Sequence, residues 1–129
     1  MKKLFADTNI FIRFLIGDNP EQLKQAKKYF QLAKDRKIQI VILSEILIEI
    51  NHVLNKVYGI SKSQIAEKLS ELVRSEYFEV EDRKLWIRIF DLYPKMNIDL
   101  VDILLFEMAK SRDGEVLSFD KDFKRLKAL

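Results

Sequence analysis

Apolar positions along the chain recur with two different periods. Short runs at Lys3–Ala6, Ile38–Leu43, Tyr77–Val80 and Val116–Phe119 have the length and the β-branched and aromatic content of strands. Between them the spacing changes to three and four. Leu23, Ala26, Phe30 and Ala33 follow the cap-like pair Asp18-Asn19, and Ile46, Ile50, Val53, Leu54 and Val57 make a second stripe. The stretch "SKSQIAEKLSELV" opens with a Ser61…Gln64 capping box and places Ile65, Leu69, Leu72 and Val73 on one face. Leu85, Trp86, Ile89, Phe90 and Tyr93 form another stripe. Leu100–Ala109 is apolar nearly all round, which predicts the most buried helix of the domain.

Strands separated by helices imply an α/β fold with a parallel sheet, right-handed crossovers and helices on both faces. Gly17, Gly59 and Gly114 each follow an expected helix, and Pro20 and Pro94 punctuate two others. No Gly/Ser linker, repeat or low-complexity tract interrupts residues 1–129, so a single domain is expected. Cysteine is absent, which excludes a disulfide framework and thiolate metal sites and fits a reducing cytoplasm. No signal-peptide core precedes Asp7. The most apolar tract, "IQIVILSEILIEI", is broken by Ser44, Glu45 and Glu49 and is no membrane span. A net charge of +3 permits an anionic partner without requiring one.

The acids fall at informative places. Asp7 ends the first strand, Glu45 follows the second by two residues, Asp120 follows the fourth, and Asp99 and Asp102 open the buried helix. In an open parallel sheet, ligands bind beyond the carboxyl ends of the strands. Carboxylates gathered there raise one another's pKa, and a divalent cation removes the conflict. Oxygen ligands without His or Cys select Mg²⁺ or Mn²⁺, which suit attack on a phosphodiester. Each acid has a plainer role as well. Asp7 or Thr8 can cap a helix, Asp99 with Asp102 can form a capping pair, and Asp120 with Asp122 can serve a turn. Glu45, flanked by Ile42, Leu43, Ile46 and Leu47, is expected to need a partner, since an unpaired carboxylate in an apolar setting is costly.

"FADTNIFIRFL", "ILSEILIEINHVL", "NIDLVDILLFEMAK" and "VLSFDKDF" resemble, in order and spacing, the motifs of PIN-domain ribonucleases, and among these the VapC-type toxins of toxin–antitoxin pairs. The resemblance spans nearly the whole chain. It implies a three-layer α/β/α domain with a central, mostly parallel four- to five-stranded sheet, and RNA cleavage dependent on Mg²⁺ or Mn²⁺. It places metal ligands at Asp7, Glu45, Asp102 and Asp120, with Asp99 as an additional acid and Thr8, Asn9 and Ser118 as supporting polar groups. It further implies an antitoxin partner and, with the apolar helical faces, a homodimer. Two departures stand out. The chain stops at "KRLKAL" where the family continues into a closing edge strand, and no antitoxin-binding signature is visible.

His52 is the only histidine, which excludes a histidine-pair mechanism, and Glu49-x-x-His52 lacks the second copy a di-iron bundle requires. Lys24, Lys27, Lys28, Lys34, Arg36 and Lys37 read as a solvated face, while Arg13 is placed for an RNA phosphate. Competing functions are an RNA-processing nuclease of the same fold, a non-catalytic RNA-binding domain, and a phospho-accepting receiver. The receiver is disfavoured because Asp7 stands alone after the first strand.

Overall fold

The computed structural model describes residues 1–128. Three parallel strands lie in the order β1 (Lys2–Phe5), β2 (Ile38–Ile42), β3 (Phe78–Val80). Leu4 pairs with Ile40, and Ile40 with Phe78. The central strand, "IQIVI", has no polar alternation because it is covered on both sides; Ile40, Val41 and Ile42 are all buried. Helices α1 (Thr8–Ile16) and α2 (Pro20–Lys34) cross from β1 to β2. Helices α3 (Ser44–Lys56) and α4 (Lys62–Arg74) cross from β2 to β3. Then come α5 (Arg83–Leu92), a 3₁₀ turn (Tyr93–Lys95), α6 (Leu100–Ser111) and α7 (Asp122–Lys127).

The helical stripes read from the sequence face one continuous core built around Phe11, Phe30, Leu54, Leu69, Trp86 and Ile103. Helix ends follow the expected punctuation. Asn19 accepts a hydrogen bond from Gln22 N, Ser61 caps α4 through Gln64 N, and Gly17 closes α1 at φ 71, a conformation a side chain would strain. No helix among the described residues is long and apolar enough to cross a membrane.

Two expectations meet a different outcome. Val116–Phe119, expected as a strand, makes no sheet pairing among the described residues, and Leu117 and Phe119 are fully exposed. Among the described residues β1 is an end strand of the sheet, and Phe5 is 66% exposed. Helix α6, expected to be the most buried, buries only Leu100, Ile103 and Glu107, while Val101 and Leu105 are exposed. An all-round apolar composition marks a helix that can be covered on every side; here α3, α5 and α7 pack against part of it.

Candidate metal centre

Three corners of the fold carry the acids singled out in the sequence. The first is the end of β1. Asp7 is the N-cap of α1, and its Oδ1 accepts from Thr8 N at 2.7 Å, so the plain capping role is present. Thr8 is 3% exposed, and its Oγ1 has no hydrogen-bond partner. An orphaned hydroxyl beside a strand-end carboxylate leaves hydrogen-bonding capacity for a water or a ligand. Asn9 is exposed next to it. Arg13 lies in the last turn of α1 with Nη1 3.2 Å from Asp18 Oδ1, an engagement that an RNA phosphate would have to displace.

The second corner is the start of α3. The parallel register that matches Phe5 with Val41 brings Asp7 and the β2–α3 junction to the same edge of the sheet. The cap position of α3 is Leu43, which has no side-chain acceptor. The cap comes from elsewhere: Ser44 N donates to Glu81 Oε1 at 3.0 Å, across 37 residues. Ser44 Oγ also accepts from the buried Trp86 Nε1 at 2.8 Å. A carboxylate at a helix N-terminus is stabilised by the exposed N–H groups and the helix dipole. Glu81 and Trp86 thus pin the first turn that carries Glu45. Glu45 itself is exposed, so the cost of burying it does not arise; its apolar neighbours turn inward and leave it on the open side of the helix.

The third corner is the start of α6. Asp99 occupies the N-cap position but caps nothing, and its carboxylate is exposed. Asp102, in the first turn, meets Asp120 and Asp122, the three offering carboxylate oxygens that all lie within 4.8 Å of one another. The connecting segment holds them through local turns: Asp120 N donates to Ser118 Oγ at 2.9 Å, and Asp122 N to Asp120 Oδ1 at 2.9 Å. Arg125 Nη1 lies 3.1 Å from Asp122 Oδ1. Burial, followed by the charges of Asp120, Asp99 and Asp122, holds the Asp102 carboxyl above its ordinary range.

Of the four principal ligands expected from the sequence, the structure gathers Asp102 and Asp120, with Asp99 acting on Asp102 electrostatically. Asp7 and Glu45 stand at the ends of β1 and β2, outside the group within 4.8 Å. The oxygen-only donor set of Asp102, Asp120 and Asp122 fits a hard divalent cation. Asp122, expected only as a turn residue, joins the group, and its spacing of two from Asp120 is the trace of this in the sequence. Nothing local announced Glu81 as the cap of a helix 37 residues earlier.

A family model described as PIN domain matches residues 4–129 of the chain. A VapC ribonuclease from Aquifex aeolicus (strain VF5) is 26% identical over 121 residues, covering 93% of this chain and 89% of that protein. No solved structure matches the chain.

Proposed function

This chain belongs to the PIN-domain family, and from that premise we propose that it is a divalent-metal-dependent endoribonuclease that hydrolyses RNA phosphodiester bonds. We assign it further as the toxin of a toxin–antitoxin pair, acting in the cytoplasm as a homodimer restrained by an antitoxin protein. The likeness to a VapC ribonuclease over most of both chains supports that assignment. The observation that carries the nuclease reading is the meeting of Asp102 with Asp120 and Asp122, a cluster whose mutual repulsion a cation would relieve.

In this reading Asp7, Glu45, Asp102 and Asp120 hold Mg²⁺ or Mn²⁺, with Asp99 contributing at the rim. When bound, such an ion lowers the pKa of a coordinated water and neutralises charge on a phosphate. The chain's own groups do the positioning. Glu81 and Trp86 fix the turn bearing Glu45, Ser118 shapes the turn bearing Asp120, and Thr8 Oγ1 and the Asn9 amide orient water or a phosphate oxygen. Incubating the protein with total RNA, with Mg²⁺ or with EDTA, and mapping new 5′ ends tests this directly. New ends confined to the Mg²⁺ reaction are expected. Equal cleavage in EDTA, or none in either, refutes it.

A further inference from the structure

Lys62 is a cation that the acidic site does not account for. It stands in the first turn of α4, and its half-buried side chain reaches the segment leading into α6. Its Nζ donates to Met96 O at 2.6 Å and to Ile98 O at 2.8 Å, and lies 4.6 Å from the centre of the Tyr93 ring. Among the described residues, no other side chain hydrogen-bonds the backbone of residues 95–99. The Ile98 carbonyl immediately precedes Asp99, the Met96 carbonyl lies two residues before that, and Asp102 follows Asp99 by one turn.

We propose that Lys62 is a positioning residue for the metal centre, clamping the 96–98 backbone so that Asp99 and Asp102 enter α6 in the arrangement a divalent cation requires. This inference rests on the metal-dependent reading above.

Two physical points favour positioning over a merely structural tie. Ile98 and Leu100 are already buried and anchor the segment by packing. A partly desolvated ammonium is a costly way to add the same adhesion, since burial disfavours its charged form. What the ammonium adds is direction: two carbonyls are fixed by one point, with the Tyr93 face beneath and the Asp99 carboxylate nearby offsetting the lost hydration. Carbonyls so held set the backbone from which both acids project. Groups that orient metal ligands in this way affect metal affinity roughly 10- to 100-fold.

The sign of the effect separates positioning from simple charge. A cation near a metal site repels the metal, so removing a mere charge tightens binding, whereas removing a clamp weakens it. The test is Mn²⁺ binding to the intact protein, followed by electron paramagnetic resonance of the free ion, on wild type, Lys62→Met and Asp102→Asn. The component lost in Asp102→Asn defines the site. Lys62→Met is expected to weaken that component about tenfold. RNA cleavage by the same variant is expected to recover its wild-type plateau at saturating Mn²⁺, which a folding defect would not allow. Unchanged or tighter Mn²⁺ binding overturns the proposal, as does a cleavage plateau that metal fails to restore. If Lys62→Met does not fold, Lys62→Gln is judged by the same criteria. A wild type that binds no Mn²⁺ overturns the metal reading itself and the clamp with it. A wild type that binds, beside an indifferent Lys62→Met, overturns the clamp alone.

Discussion

Replacing Asp102 with asparagine removes one charge from the acidic group while keeping its shape. Asp120 and Asp122 each bring a carboxylate oxygen within 4.8 Å of one on Asp102, and no hydrogen bond to the Asp102 carboxylate offsets the repulsion among the described residues. At that distance two like charges repel by about 0.9 kcal/mol in a water-like dielectric. Two such pairs, screened by physiological salt with a Debye length of about 8 Å, leave roughly 1 kcal/mol as an upper figure, since Arg125 offsets part of the Asp122 charge. Asp102→Asn is therefore expected to stabilise the metal-free protein by up to about 1 kcal/mol at neutral pH, or up to about 3–5 °C in melting temperature for a domain of this size. The pH dependence has a definite sign. The Asp102 carboxyl titrates above its ordinary value of 3.8 in the folded state, so the native protein holds the proton more firmly than the unfolded chain. The destabilisation is absent below the ordinary value and grows as pH rises through the elevated one. Urea denaturation in EDTA, at neutral pH and again below the ordinary aspartate range, measures both limits. The variant should gain stability only in the first. Saturating Mn²⁺ should reverse the order, because only the wild type binds the ion at full strength. A variant less stable than wild type in EDTA at neutral pH refutes the repulsion argument.

Asp7→Asn keeps a good N-cap and should fold normally while cleaving RNA at least about a hundredfold more slowly; wild-type turnover, in metal free of contaminating nuclease, contradicts its role. Glu81→Ala removes the cap of α3 and should cost roughly 1 kcal/mol by urea denaturation, with weaker cleavage through the displaced Glu45; unaltered stability shows that another group caps the helix. Leu117→Ser with Phe119→Ser should change stability by less than about 0.5 kcal/mol, since both side chains are fully exposed, and a loss above about 2 kcal/mol shows that the segment packs as a strand.

Much of the fold was legible because periodicity reports burial directly. "IQIVI" reads as a strand covered on both faces and is the central one; Ser61, Asn19 and Gly17 mark helix ends and serve them. Val116–Phe119 shows the limit. Its composition suits a strand, yet pairing depends on a neighbouring edge that local sequence does not encode, and both large apolar side chains stand in solvent. The acids divide the same way. Asp102 and Asp120 do meet, but Asp120 is brought there by a turn rather than by a strand end, and Asp7, at the end of β1, stays outside that group. Glu45 was readable by position, but its expected burial was not met, because a helix turns adjacent residues to different sides. Glu81 and Lys62 were invisible. Their partners lie 37, 34 and 36 residues away, and contacts at such separation leave no periodic trace.

The central claim is that acids from distant parts of the chain share one divalent cation. Anomalous diffraction from crystals soaked in Mn²⁺ tests it without reference to activity. The account predicts a single strong peak coordinated by Asp102 and Asp120, with Asp7 on the same ion directly or through water. A peak elsewhere on the surface, or none at Asp102 when the soak saturates other sites, contradicts it.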